Sequence, residues 1–298
     1  MSNIFFQIKR NYLNSNKVTR LIYINILVFL SYKILVISEF LGSVSGINEE
    51  ETQILSFIKE YLFLPADLKL LLLKPWTLIT YMFIHIDFLH ILFNLAWLYF
   101  GSKLFLTFLN NKQLYTTYIL GGIFGGIFFI TSFNLFPVFQ NSISEATAIG
   151  ASAGVLSIFI AVSTYKPNEN IQIPIIGNIR LKYIAISLVI LDILSVGPEN
   201  PGGHIAHLGG AFFGYLYILL LKNKWDLSIN FHKFTNIFSK RSKRPTKKRQ
   251  NKYNDDIYRK NRANQQKEIN LILEKISKSG YDSLTKKEKE LLFKESKK

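Results

Sequence analysis

The chain has 298 residues, of which 49% are hydrophobic and 14% aromatic, and its formal net charge is +16. Because residues 223–298 are polar and basic, the apolar residues must be concentrated before them, which excludes an ordinary soluble protein. The chain contains no cysteine, which excludes disulfides, thiolate metal sites and a cysteine nucleophile.

Six apolar stretches long enough to suggest membrane spans follow one another before residue 223. They cover roughly residues 18–40, 87–109, 114–135, 148–165, 180–196 and 204–222. The first stretch follows several basic residues and shows no small-residue cleavage pattern, so we expect a retained span rather than a signal peptide. The sequence therefore predicts an all-α membrane protein with six transmembrane helices.

The connection between the first two spans, residues 41–75, is long and acid-rich. It contains an apolar stretch, residues 62–73, that is too short to cross a bilayer and predicts an interfacial or re-entrant element. Lysine and arginine are concentrated in the N-terminal segment, in the turns after the second and fourth spans, and in the tail. By the positive-inside rule, both termini are expected to be cytoplasmic, and the second, fourth and sixth spans begin at the outer face.

Charge and hydropathy divide the chain into four segments. These are a cytoplasmic N-terminal segment (1–17), a membrane domain (18–222), a basic flexible linker (223–261) and a small cytoplasmic helical hairpin (262–298). Residues 223–298 contain 22 Lys and Arg against nine Asp and Glu. This excess is typical of a cytoplasmic tail, and a more specific interpretation is contact with anionic lipid or nucleic acid. Thr285 and Glu288 form a capping-box pattern before the second hairpin helix.

Three polar residues are expected at one depth on three different spans. Ser152 lies about four residues into the fourth span, His207 about three into the sixth, and His90 about three into the second. At about 1.5 Å per residue, each lies about 5–6 Å below the outer end of its helix. A histidine in hydrocarbon normally has a partner or faces water. The common depth predicts a polar site, provided that the three helices are neighbours.

Glycines near these residues indicate how the fourth and sixth spans pack. Two pairs are present, Gly150 with Gly154 around the serine and Gly210 with Gly214 on the helical face of the histidine. We expect all four to support close helix packing, so that His207 reaches Ser152. Ser152 is then the candidate nucleophile and His207 the candidate general base.

Other polar residues are assigned supporting roles. No acidic residue follows His207 at a useful spacing, which predicts a Ser–His dyad rather than a triad. Asp192 lies inside the fifth span, and we expect it to hold the connection to the sixth span rather than to take part in the chemistry. His204 is expected at the membrane interface, and His85 is expected to bond to loop backbone.

His90 and Asn94 are four residues apart and therefore share one face of the second span. An imidazole N–H and a neutral amide suit an oxyanion hole, with the backbone N–H of Ser152 as a third donor. The alternative is that both residues only satisfy neighbouring polar groups.

Three motifs in a fixed order carry a family resemblance. GASAG (150–154) contains Ser152, AHLGGAFFG (206–214) contains His207, and HIDFLHILFN (85–94) contains His90 and Asn94. They resemble, in turn, the nucleophile motif, the catalytic-histidine helix and the second-span HxxxN signature of the rhomboid intramembrane serine proteases. Pro-Trp-Thr at residues 75–77 resembles the end of that family's long first loop. The resemblance covers about residues 18–222.

The resemblance implies a six-helix rhomboid bundle with a long outer first loop, here followed by a small helical cytoplasmic tail. It implies a serine endopeptidase that cleaves single-span membrane proteins near the outer membrane face, without metal or cofactor. Ser152 and His207 would be catalytic, and His90, Asn94 and the Ser152 amide would bind the oxyanion. Expected partners are transmembrane substrates, the lipid bilayer and, for the tail, anionic lipid; nucleic acid is not expected. Residues 262–298 are similar to an extension of some bacterial rhomboids, which favours a bacterial inner membrane.

The sequence departs from the family pattern at three positions. Thr77 stands where arginine is frequent, Leu156 where an aromatic often packs on the catalytic histidine, and Phe105 near a position often held by glutamate. These differences concern the packing around the site rather than the dyad itself.

Two other functions stay open on the sequence alone. A non-catalytic rhomboid-like adaptor would bind transmembrane helices without cutting them, although such pseudoproteases lack the serine or the histidine. A small-solute transporter would predict inverted repeats and broken helices near the middle of the membrane, whereas the polar residues here are predicted toward one face.

Overall fold

The computed structural model describes residues 17–42, 52–173, 177–197, 199–229, 231 and 268–295. The chain forms two compact units, residues 1–238 and residues 239–298. Most of the predicted basic linker, including the Lys240–Arg249 cluster, lies outside the described residues, as does nearly all of the N-terminal segment 1–17.

The described residues are mostly helical. In chain order the helices are α1 (Lys17–Gly42), α2 (Gln53–Leu62), α3 (Leu68–Leu73), α4 (Thr77–Thr80), α5 (Phe88–Phe108), α6 (Asn111–Leu135), α7 (Ser152–Tyr165), α8 (Leu181–Leu194), α9 (Pro201–Lys222), α10 (268–279) and α11 (Lys286–Glu295). Two small antiparallel sheets pair β1 (Leu64–Pro65) with β2 (Thr147–Ala148), and β3 (Asn170–Ile173) with β4 (Gly177–Arg180).

Every predicted span contains a helix, but the six helices differ in length. Four of them, α1, α5, α6 and α9, are long and apolar enough to cross a membrane. The other two, α7 and α8, have 14 residues each. At about 1.5 Å per residue, each is shorter than the hydrocarbon layer of about 30 Å. The chain is a multi-pass membrane protein.

Capping residues explain where several helices begin. The helix α6 starts before the predicted residue 114, because the Asn110 side chain accepts the N–H groups of Lys112 and Gln113 and completes a capping box. The helix α9 starts at Pro201, where the ring's fixed φ suits the first helical position and Asn200 accepts the Gly203 N–H.

In the first unit (residues 1–238, hereafter the membrane unit), the core lies where α6, α7 and α9 pack together. Glycines allow these helices to approach closely. A Cβ on Gly210 would collide with the backbone carbonyl of Ala153, and one on Gly214 with that of Ser157. On α6, a Cβ on Gly125 would collide with the Ala153 side chain and lie 2.8 Å from the Ala206 carbonyl oxygen of α9. Ten of the 14 residues of α7 are buried by these neighbours. The fourth and sixth predicted spans therefore approach each other closely at Gly210 and Gly214.

The other two predicted packing glycines serve different neighbours. Gly154 faces α6, where an added Cβ would lie 2.7 Å from the Tyr118 carbonyl oxygen. Gly150 precedes α7 with a φ of +108° and lies beside the ring of His90. The expectation that this pair packs against α9 is wrong, because α7 presents a different face to each of its neighbouring helices.

The connection between α1 and α5 folds into short, well-bonded elements. The indole N–H of Trp76 donates to the Tyr61 carbonyl at 2.8 Å, and the Thr80 hydroxyl donates to the Leu62 carbonyl at 2.9 Å. Thr77 is fully buried and donates to the Lys74 carbonyl at 2.7 Å. Threonine here bonds its own turn, which an arginine in the same enclosed position could not do without burying a charge.

The second unit contains α10 and α11, joined by a turn at Gly280. The predicted capping box is present, because the Thr285 N–H donates to the Glu288 carboxylate at 2.7 Å and the Glu288 N–H donates back to the Thr285 hydroxyl at 3.4 Å. An ion pair between Lys275 and Glu288, at 3.0 Å, joins the two helices. Backbone N–H, hydroxyl and ammonium groups around Glu288 lower its pKa to about 2.

Candidate active site

Ser152 is the first residue of α7, and the loop before it is held from two sides. The Gly150 N–H donates to the Tyr81 carbonyl at 2.9 Å, and the Ala151 N–H donates to Nε2 of His85 at 3.3 Å. The strand pair places Ala148 opposite Leu64. Since a helix leaves its first N–H groups without helical partners, the serine lies at the positive end of the α7 dipole.

His85 has the structural role expected of it. It is 1% exposed, and its Nε2 accepts a backbone N–H, so the imidazole is neutral. Burial, aided by the neighbouring His90, lowers the pKa of His85 to about 4. The two rings meet edge to face, with their centroids 5.0 Å apart. His85 thereby ties the nucleophile loop to the segment that leads into α5.

His207 has an acidic partner that the sequence did not lead us to expect. Its Nδ1 lies 2.8 Å from Oδ1 of Asp192, near the end of α8. A carboxylate can only accept, so Nδ1 carries the ring proton and Nε2 is left as the acceptor. The expectation of a dyad considered only the residues that follow His207 along α9, whereas the acid that contacts the ring comes from the preceding helix.

Asp192 also contacts His204, whose Nδ1 lies 2.9 Å from the same carboxylate oxygen. Its predicted role in holding the connection between α8 and α9 therefore gives way to a direct bond with two histidines of α9. His204 and His207 are three residues apart and share a helix face, which explains why one carboxylate meets both rings.

A cavity of about 230 Å³ brings three of the four predicted site residues together, and His90 is not among the residues that line it. Ser152, His207, Asn94 and Asp192 all line it, with apolar walls that include Leu156. Among the described residues, no hydrogen bond joins the Ser152 hydroxyl to His207, although both line this one cavity. The departure at Leu156 thus leaves an aliphatic wall where the family pattern often has an aromatic ring.

Asn94 and His90 approach the serine from α5. Asn94 is 6% exposed, and one of its amide protons donates to the His90 carbonyl at 3.0 Å, which leaves the other free to point into the cavity. The His90 ring lies so near Gly150 that an added Cβ there would be 2.9 Å from its Nε2 and 3.8 Å from the Ser152 hydroxyl oxygen. The third departure, Phe105, is fully buried in the core, away from this cavity.

Comparison with known proteins identifies two regions of the chain. A family model described as the Rhomboid domain matches residues 73–224, just over half of the chain, and one described as a family of unknown function (DUF6576) matches residues 253–298. The chain is 30% identical over 145 residues to "Presenilin-associated rhomboid-like protein A, mitochondrial" of Danio rerio, covering 46% of this chain and 35% of that protein. It is equally identical over the same length to "RHOMBOID-like protein 12, mitochondrial" of Arabidopsis thaliana, covering 45% of this chain and 43% of the relative. The matched region spans less than half the length of either relative.

Proposed function

The chain belongs to the rhomboid family, and we propose that it is an intramembrane serine endopeptidase that cleaves single-span membrane proteins near the outer membrane face. The observation that carries this proposal is the shared cavity, which is lined by Ser152, His207 and Asn94 from three different helices. Each of the three residue types has a distinct part in acyl transfer. Helix packing alone would not require these three polar side chains to line one cavity.

The proposed reaction begins with proton transfer from the Ser152 hydroxyl to Nε2 of His207. The serine oxygen attacks the substrate carbonyl, and His207 returns the proton to the leaving amine. Water then hydrolyses the acyl-enzyme with His207 again acting as the base. The bond from Nδ1 of His207 to Asp192 supports this role, since it holds the ring in the tautomer whose Nε2 can accept. Asp192 is thus a positioning residue.

The oxyanion is proposed to be held by Asn94, His90 and the Ser152 amide. Support comes from Asn94, which lines the cavity and keeps one amide proton beyond its bond to the His90 carbonyl, and from the His90 ring beside Gly150. The backbone N–H groups at the start of α7 add the positive end of a helix dipole. The bonds of Gly150 and Ala151 hold the loop before α7, and so help to position the backbone N–H groups before the reaction.

We further propose six transmembrane helices, with α7 and α8 as the two short ones and with both termini in the cytoplasm of a bacterium. The 14-residue length of α7 supports a position of Ser152 below the bilayer surface, because α7 is shorter than the hydrocarbon layer. The strand β2 before it pairs with β1 in the connection between α1 and α5, which is proposed to lie at the outer face. The domain boundaries proposed are 18–222 for the protease and 262–298 for a helical hairpin, and the basic linker is proposed to contact anionic lipid.

The direct test is cleavage of a model single-span substrate by the purified protein in liposomes. We expect cleavage by the wild type and none by Ser152→Ala or His207→Ala. The matched control is Ser157→Ala, which removes a buried hydroxyl from the same helix outside the cavity and should leave cleavage intact. Co-purification of an uncut substrate with every variant, the wild type included, would favour the non-catalytic adaptor instead.

A further inference from the structure

Two helices of the membrane unit bring three metal-ligating side chains together. One ring nitrogen of His204, one ring nitrogen of His207 and one carboxylate oxygen of Asp192 all lie within 4.8 Å of one another. Both imidazoles already point at the same oxygen, at 2.9 and 2.8 Å. Each of the two histidine side chains is 27% exposed, so the cluster is not sealed from solvent.

We propose that Asp192, His204 and His207 form a binding site for a divalent transition metal, with Zn²⁺ as the best match. Two imidazoles and one carboxylate are a ligand set that zinc prefers, and three protein ligands leave a fourth position for water. The site requires no large rearrangement, because the three side chains are already gathered by hydrogen bonds. His204 and His207 lie on the same face of α9, so one rigid helix supplies two of the ligands.

Metal at this site would inhibit the protease, a consequence that rests on the proposed function. A neutral imidazole carries one proton, and the metal takes the lone pair of Nδ1, so the proton must move to Nε2. Nε2 of His207 is then a donor and cannot accept the proton of Ser152. Metal binding also removes the hydrogen bond between Nδ1 and Asp192. The sequence led us to expect no metal in the reaction, and this metal acts against the reaction instead.

Binding is tested first in a protein that cannot cleave, so that the result does not depend on catalysis. Ser152→Ala protein in detergent is titrated with Co²⁺, whose visible absorption reports four-coordinate nitrogen and oxygen ligation, and with Zn²⁺ as competitor. Adding His204→Gln, which keeps a donor to Asp192, should weaken binding about 100-fold or more, since it removes one of three ligands. Adding Glu199→Gln, which removes an exposed acid outside the cluster, should leave binding unchanged.

Inhibition is tested in the catalytically competent chain. Zn²⁺ should lower the cleavage rate of the wild type at least tenfold, and a chelator should restore it. Each rate is divided by the metal-free rate of the same variant. His204→Gln should then need about 100-fold more Zn²⁺ for the same fractional inhibition. Glu199→Gln should need the same Zn²⁺ concentration as the wild type.

The two arms separate failure of this proposal from failure of the protease assignment. Equal Co²⁺ binding with and without His204→Gln, or no binding at all, would overturn the metal site whatever the activity. Equal zinc sensitivity of wild type and His204→Gln would overturn the inhibitory role. If no form of the chain cleaves substrate, the protease assignment fails, and the binding arm still decides whether the metal site exists.

Discussion

The helices α7 and α8 have the same length but opposite environments. Ten of the 14 residues of α7 are buried, whereas only Leu181 and Ala185 are buried on α8. The first helix carries the candidate nucleophile and the second carries the acid that meets the candidate base. The contrast indicates that the position of Ser152 is fixed by close packing from several sides, while that of Asp192 depends on its hydrogen bonds to α9. Truncation of a buried apolar side chain on α7 should therefore act on folding, whereas a change at Asp192 on α8 should act mainly on the reaction.

The largest effect is expected where α9 meets α7. Gly210→Ala would push its Cβ into the Ala153 backbone, and since neither backbone can move without separating the two helices, we expect loss of about 3 kcal/mol or more of stability and loss of cleavage. Unfolding in detergent and the cleavage assay measure both. Gly101→Ala is the matched control, because its nearest neighbour would be the Ile158 side chain at 3.8 Å. Equal stability of the two variants would contradict the close contact.

The contrast between α7 and α8 can be measured with one side chain on each. Ile158 is fully buried and Ile190 is 48% exposed. Ile158→Ala should cost about 3 kcal/mol of stability, because it leaves a cavity in the core. Ile190→Ala should change the stability by about 0.5 kcal/mol or less. Equal losses in detergent unfolding would show that α8 is packed as firmly as α7.

At Asp192 the effect should fall on catalysis. Asp192→Asn allows the amide to donate to Nδ1 of His207, which places the ring proton on Nε2, and kcat should fall about 100-fold. KM should change little, and the stability should stay within about 1 kcal/mol of the wild type. Asp192→Glu should recover part of kcat. A parallel loss of stability and of kcat in Asp192→Asn would assign Asp192 a structural role instead.

Asn94 lines the same cavity from α5. Its substitution tests whether the first backbone N–H groups of α7 can stabilise the oxyanion without the Asn94 amide. Asn94→Ala should lower turnover by about tenfold to a thousandfold, as expected for one lost donor. The substrate's KM should change less than kcat, since the interaction strengthens only as charge develops. An unchanged kcat would remove Asn94 from the oxyanion hole and leave that role to the backbone N–H groups.

The smallest effect concerns the loop that precedes α7. The pKa of His85 is lowered from 6.5 to about 4 in the folded protein, so the unfolded chain binds its proton first as the pH falls. Stability from this residue is complete above pH 6.5 and is lost as the pH falls toward 4, with about 2 kcal/mol lost by pH 5. The pH dependence of unfolding should be flatter in His85→Gln. An identical slope in both proteins would show that another group titrates.

Many features of the fold and of the candidate site depend only on residues that are close in the sequence, and these features could be predicted from the sequence. Hydropathy placed a helix in each of the six predicted spans, because apolar runs in a membrane protein must satisfy their backbone groups internally. Cap residues such as Thr285 and Glu288 act within one turn, so their pattern is readable directly. The candidate residues Ser152, His207 and Asn94 were recognisable by residue type and depth, since polar groups are rare and costly in hydrocarbon.

Only the tertiary structure decided which side chains meet across helices. Asp192 reaches His207 from a different helix, and nothing in the spacing along α9 could have indicated it. Gly150 and Gly154 look equivalent to Gly210 and Gly214 in the sequence, yet they face the His90 ring and α6 instead of α9. The physical reason is that periodicity fixes the faces of a helix, whereas the crossing angles and rotations of packed helices determine which face meets which neighbour.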